Sequence, residues 1–159
     1  MEHKAILKAE VQRVHTSVKK DTIIFSRMNT PNLVGQSGYI EEDANDLYLP
    51  DRLWAIEVKD REVISTRWLS QLLASRNMRT RITDFATGTS GSMKNISKPN
   101  LLSLRVRKPP PQEQKEIASI LTSVDDNIEE KQRKLEQTQS LKKSLMQDLL
   151  TGKVRVQVD

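Results

Sequence analysis

The chain contains no cysteine, which excludes disulfides, thiol nucleophiles and thiolate metal sites together. Its two histidines, His3 and His15, are too few and too scattered for a metal site or a catalytic triad. Aromatic residues make up only 4% of the 159 and apolar residues 36%, a thin supply for a compact core of that length. No apolar run approaches the roughly 20 residues that cross a bilayer. The opening Met1-Glu2-His3-Lys4 leads into no signal-peptide apolar segment. A secreted scaffold, a membrane protein and a zinc finger are thereby excluded, and a reducing cytoplasmic location fits.

Charge is what the chain has in quantity. Charged residues are 30% of the whole and the mean hydropathy is −0.60, values that call for a large solvated surface such as an extended helix. The net charge of +5 is unevenly spread. Met1 to Thr66 carries 9 basic and 11 acidic residues, and Lys108 to Asp159 carries 9 of each. Between them, Arg67 to Arg107 carries 8 basic residues against Asp84 alone, net +7. A basic block of that density suits a phosphate-facing surface, because counterion release drives most non-specific DNA affinity. The plain alternative is a solvated face that happens to be basic.

The first hundred residues read as an α+β module. Thr22-Ile23-Ile24-Phe25-Ser26 has the length and apolarity of a strand, bounded by Lys19-Lys20-Asp21 and Asn29-Thr30-Pro31-Asn32. Gly35 and Gly38 punctuate the short segments Leu33-Val34 and Tyr39-Ile40. Leu53 to Lys59 alternates, with Trp54, Ile56 and Val58 on one face, as a half-buried strand does. Ser65 and Thr66 are caps for a helix bearing Trp68, Leu69, Leu72 and Leu73, which is expected to run on into Arg76, Arg79 and Arg81. A small polar loop, Thr87 to Ser92, follows, and Leu101 to Val106 reads as a further strand.

Lys108-Pro109-Pro110-Pro111 ends this module, and prolines suit the rigid start of a helix. From Gln112 to Leu150 there is neither Gly nor Pro. Ile117, Leu121, Val124, Ile128, Leu135, Leu145 and Leu149 recur close to a heptad, with Lys131, Thr138 and Lys142 at the remaining seam positions. Those polar residues are either tolerated in a loose seam or set its register. Glu129–Arg133 and Glu130–Lys134 are stabilising pairs four residues apart on the outer face. Thirty-nine residues make a rod of roughly 58 Å, too long to bury its stripe against one small module. It calls for a partner helix. Thr151-Gly152 supplies the stop, and Val154, Val156 and Val158 alternate as a short terminal strand. The expected divisions are 1–107, a proline hinge at 108–111, a helix over 112–151 and a tail over 152–159.

The run Pro109-Pro110-Pro111-Gln112-Glu113-Gln114-Lys115-Glu116-Ile117-Ala118, the long helix, and the closing Leu149-Leu150-Thr151-Gly152-Lys153-Val154-Arg155-Val156 resemble the conserved-region helix of one family. That family is the DNA specificity (S) subunit of type I restriction-modification enzymes. Phe25-Ser26-Arg27, the loop at Gly88-Thr89 and Asn95-Ile96-Ser97 fit its target recognition domain less specifically. The resemblance implies a non-catalytic protein. Its recognition domain reads half of a split site in double-stranded DNA, and its helix docks DNA adenine methyltransferase subunits, with the restriction subunit engaged indirectly. S-adenosylmethionine and ATP then belong to partners, and no cofactor is expected on this chain. A full S subunit resembles two recognition domains and two helices, whereas this sequence has one of each, the first short at its N-terminus. The expectation is a half-size form that homodimerises through its helix. A gene fragment that folds without reading DNA is the rival.

For contacts to DNA, arginine suits guanine and asparagine suits adenine. Arg27, Asn29, Arg76, Arg79, Arg81 and Asn95 are the candidates, with Thr89, Ser90 and Lys94 for phosphates. Helix pairing is assigned to Ile117, Leu121, Val124, Ile128, Leu135, Leu145 and Leu149. Trp54 and Trp68 are expected in the core. Asp51 with Glu57 and Lys59 mimics a metal-dependent nuclease signature. On one continuous strand, however, Asp51 and Glu57 stand about 20 Å apart, too far to share a cation. Only a sharp bend at Arg52–Leu53 would bring them together. Glu41-Glu42-Asp43 with Asp46 lacks the spacing and glycine of a calcium loop, and Gly88 to Ser92 lacks the ending of a phosphate-binding loop.

Overall fold

The computed structural model describes residues 5–6, 17–88 and 93–157. The elements are β1 (Ser17–Val18), β2 (Thr22–Ser26), β3 (Met28–Asn29), β4 (Ser37–Ile40), β5 (Ala44–Tyr48) and β6 (Leu53–Ile56), then α1 (Thr66–Ala74), α2 (Arg76–Thr83), β7 (Lys94–Asn95), α3 (Lys98–Leu102) and α4 (Pro111–Leu150). Two compact units result, one ending at Ala118 and one beginning at Ser119. The first two turns of α4 therefore belong to the mixed unit, and the division falls inside the helix rather than at the prolines.

β2 is the middle strand of an antiparallel sheet ordered β4-β2-β6. Its position explains its composition: with neighbours on both edges, Thr22, Ile23, Phe25 and Ser26 are all buried. Phe25 lies opposite Trp54 across the β2–β6 ladder, and their rings stack 6.0 Å apart at 13°. Such cross-strand aromatic pairs stabilise a sheet beyond the area they bury. Ile23, Phe25, Val34, Leu73, Met78, Ile82 and Ile96 form the core, with Trp54, Ile56, Leu69, Leu72, Ala86, Leu101 and Leu104 packed around it. Trp68 is buried as expected. Trp54 is only half covered.

The helix starting at Ser65 forms as its sequence predicts, with the Ser65 hydroxyl accepting from Trp68 N. It does not continue to Arg81. Ser75 takes extended angles, φ −60° and ψ 144°, ends α1 and caps α2. Its hydroxyl donates to Leu72 O at 2.7 Å and accepts from Met78 N at 3.4 Å. A serine that satisfies the ends of two helices makes a corner where periodicity alone sees one helix.

Leu101 to Val106 is not a strand. Ser97 caps a short helix by accepting from Asn100 N at 3.3 Å, and Pro99 sits in its first turn, where a missing N–H costs nothing. Local capping outweighs the apolar run. Leu33-Val34 forms a turn, both of its amides bonding to Thr30 O. Gly35 follows at φ +75°, and a β-carbon there would stand 2.6 Å from Ile82 Cγ2, so glycine is required by conformation and by space. This close approach sets α2 beside the turn that follows β3.

Within the second unit, α4 continues without interruption to Leu150. Gly152 stops it at φ +73°, with Gly152 N bonding to Leu149 O and Val154 N to Asp148 O. The valine alternation beyond it builds no strand over residues 153–157; Val158 lies outside the described residues.

Candidate nucleic-acid interface

Three of the predicted contact residues, from positions more than sixty apart, meet on one two-stranded ladder, and Arg27 stands immediately before it. β3 pairs antiparallel with β7, setting Met28 opposite Asn95 and Asn29 opposite Lys94. Asn95 is held on both sides, because it also exchanges two backbone bonds with Thr87, at 2.9 and 2.8 Å. Ile96 N then bonds to Arg27 O at 2.9 Å, and Ile96 plugs the ladder into the core.

Side chains reinforce this. Arg27 Nε donates to Asp51 O at 2.6 Å, and its Nη1 donates to Asn95 Oδ1 at 3.4 Å. The guanidinium also lies 5.7 Å from the Trp54 ring centre, and Lys98 Nζ lies 5.6 Å from it. Each cation–ring contact at a partly exposed site contributes about 0.5–1 kcal/mol. Two cations thus converge on one indole, and Trp54 serves both the core and the cationic surface. Asn29 Nδ2 donates to Ser26 Oγ at 3.2 Å, and Lys94 Nζ donates to Gly88 O at 3.3 Å. With Asn95 Oδ1 accepting from Arg27, the donor group of that side chain is its amide nitrogen.

The second basic group lies on α2. Arg79 Nη2 reaches Asn32 O at 3.2 Å, in the turn after β3, and Arg81 Nη2 reaches Arg105 O at 3.0 Å. Arg76 opens α2. Thr89 and Ser90 lie outside the described residues, so their assignment is untouched by the geometry. Arg67, part of the same basic block in sequence, makes its contacts elsewhere. It pairs with Glu41 and covers the Tyr39 ring at 4.6 Å. Tyr39 in turn donates to Asp21 Oδ1 at 3.0 Å. Burial, then that hydrogen bond, raises the Tyr39 hydroxyl above its ordinary value of 10.0.

Sequence reasoning missed Lys98 and the dual role of Trp54. The signal for Lys98 was present, since Ser97 as a cap fixes Lys98 as the first residue of a helix. Trp54 carried no such signal, because an indole on an alternating face reads as core.

The acidic motifs resolve as local structure. Asp43 Oδ1 accepts from Lys20 N at 2.8 Å and Glu41 pairs with Arg67. A turn does occur at Asp51–Arg52, with Leu53 N bonding to Pro50 O, and β6 ends at Ile56, short of Glu57 and Lys59. Even so, the described residues contain no group of three or more His, Asp or Glu placed to hold a metal ion.

On α4 the seam residues lie open. Leu121, Val124, Ile128, Leu135, Leu145 and Leu149 are each exposed by 41–55%, and Ile117 is half-buried. No helix among the described residues is long and apolar enough to cross a membrane.

The family described as the type I restriction modification DNA specificity domain matches residues 4–139. The chain is 37% identical over 95 residues to the type I restriction enzyme MjaVIII specificity subunit of Methanocaldococcus jannaschii, covering 60% of this chain and 22% of that protein. It is 45% identical over 69 residues to a second protein of that organism, provisionally named the MjaX specificity subunit, covering 43% of this chain and 16% of the other. The crystal structure of the type I restriction-modification S subunit from M. genitalium superposes with a TM-score of 0.66 at 18% identity, over 86% of this chain and 34% of that one. The matched region is thus well under two thirds of each of these proteins.

Proposed function

Since the chain belongs to the type I restriction modification DNA specificity domain family, we propose that it recognises double-stranded DNA and scaffolds a restriction-modification assembly without catalysing a reaction itself. DNA approaches the β3–β7 ladder and α2, within and beside the basic Arg67–Arg107 region. The exposed seam of α4 pairs with a second copy and docks DNA adenine methyltransferase subunits, which bring in the restriction subunit.

One observation carries the reading. Asn29, Lys94 and Asn95, chosen as base- and phosphate-contacting types, share a short ladder with Arg27 immediately before it, beside Trp54 and Lys98. Rigid placement of donors is what groove readout requires, since side-chain ordering otherwise offsets the contact energy. Lys94, on the edge of the loop, suits phosphate. Asn95, whose amide nitrogen is a donor, suits a base acceptor such as purine N7.

A second reading is a protein–protein module that pairs with methyltransferase or S subunits and never reads DNA. The exposed α4 seam favours it independently of the basic surface. Sequence-selective DNA binding, measured in the presence of a type I DNA adenine methyltransferase subunit, separates the two. Selectivity lost in Asn95→Ala supports recognition. Tight methyltransferase binding with no DNA selectivity supports the module. Mg²⁺-dependent cleavage abolished by Glu57→Ala would instead revive a nuclease.

A further inference from the structure

Among the described residues Leu102 is the most exposed large apolar side chain, 82% open to solvent. It closes α3, whose backbone is fixed at both ends. Ser97 caps the start, and at the finish Ser103 N bonds to Pro99 O at 2.9 Å while Ser103 Oγ donates to Asn100 O at 2.8 Å. Leu101 and Leu104 pack against the core, so the inner side of this corner is anchored and Leu102 is held out from it. Lys98, four residues earlier, shares the Leu102 face of the helix. Its Nζ stands over the Trp54 ring that Arg27 also covers. Just beyond Leu102, Arg81 Nη2 bonds to Arg105 O, and Arg105 and Arg107 are exposed. From Phe85 to Gln112 the sequence has no acidic residue.

Isolated apolar side chains at a surface are ordinary; a leucine presented on a fixed backbone between cations is a narrower case. A protein partner would have to supply an apolar pocket together with carboxylates for Lys98, Arg105 and Arg107. Duplex DNA offers both chemistries at once, phosphates for the cations and the stacked, apolar space between base pairs for the leucine. We infer that Leu102 is a wedge that enters one base step of the bound duplex, unstacks it in part and bends the DNA. This rests on the DNA recognition proposed above and adds to it a residue that selects sequence without a hydrogen bond. Unstacking is cheapest at pyrimidine–purine steps such as TA and CA, so Leu102 favours such a step at one fixed position of the site. The cations before and after it neutralise phosphates as the step opens. Because α3 is already ordered, little conformational freedom is lost when its leucine is buried.

The test offers the full chain, with type I DNA adenine methyltransferase subunits, a pool of duplexes whose central segment is randomised. The parent is expected to enrich a motif with TA or CA/TG at one fixed position, and Leu102→Ala to keep the rest of the motif while losing that step. On a duplex bearing the selected motif and a dye at each end, the parent is expected to raise energy transfer through a bend of roughly 20–90°. Leu102→Ala is expected to leave that duplex straight and to bind it about tenfold more weakly, with an unchanged salt slope because leucine neutralises no phosphate. Leu102→Met keeps an apolar wedge and is expected to restore the bend. Since Leu102 buries little in the free protein, urea unfolding is expected to be the same for parent and variants; a large loss of stability would assign Leu102 to packing and overturn the wedge. An unchanged step preference with an unchanged bend in Leu102→Ala overturns the wedge and leaves recognition standing. A parent that enriches no motif overturns the recognition itself, and the wedge with it.

Discussion

Gln114 is fully buried and satisfies three backbone groups with one side chain. Its Oε1 accepts from Ser65 N at 2.9 Å, and its Nε2 donates to Val63 O at 3.1 Å and to Pro109 O at 2.9 Å. Replacing it with leucine keeps the volume and removes all three partners. A buried group left unpaired costs about 1–3 kcal/mol. Taking the lower bound for each of the three groups gives ~3 kcal/mol. For a unit of this size each kcal/mol lowers Tm by about 4 °C, so Gln114→Leu is expected to lose roughly 12 °C. Trp54 and Trp68, the only tryptophans, both lie in the mixed unit, so their fluorescence follows its unfolding without contribution from the distal helix. Urea titration by that signal gives the free energy directly. Gln114→Glu provides the control: its carboxylate still accepts from Ser65 N but faces two carbonyl oxygens, so it is expected to be destabilising at neutral pH and less so in acid. A Gln114→Leu protein within about 0.5 kcal/mol of the parent would show that these bonds are not what holds the start of α4, and the reasoning would fail.

Gly35→Ala combines a left-handed φ with a 2.6 Å contact to Ile82, and urea unfolding is expected to show a loss of about 2 kcal/mol or more. Lys94→Ala is expected to lower the salt slope of DNA binding by about one, measured by fluorescence anisotropy across NaCl concentrations, while base preference stays unchanged; altered preference would move Lys94 from phosphate to base. The raised Tyr39 hydroxyl means the native state holds its proton more tightly than the unfolded chain. Its stabilisation is complete below the ordinary value of 10.0 and is lost as pH rises through the higher native one. Tyr39→Phe is expected to flatten that alkaline decline in a Tm series. Lys131→Ile is expected to raise the thermal stability of α4 and to broaden the distribution of oligomers in native mass spectrometry; one unchanged dimer would remove Lys131 from register control.

Where a signal was local, it was legible along the chain. Thr22–Ser26, the cap at Ser65, the uninterrupted α4 and its stop at Gly152 depend on neighbours within a turn or a strand. The errors fell where two local signals competed. Ser75 looked like one more polar helix position, yet its hydroxyl serves two helix ends. Leu101 to Val106 looked like a strand because its apolar residues are contiguous, while Ser97 and Pro99 just before it nucleate a helix.

The sequence by itself determined that a basic, cysteine-free module precedes a long helix with an unsatisfied apolar seam, because composition and periodicity are properties of the chain. Only the tertiary structure decided which basic residues come together. Arg27 and Asn95 are brought within hydrogen-bond reach by a ladder whose strands are two residues long, and Arg67 is withdrawn from the group by Glu41 and Tyr39. Pairings so short leave no pattern in the sequence, since they are set by the closing of long loops around a core rather than by any run of residues.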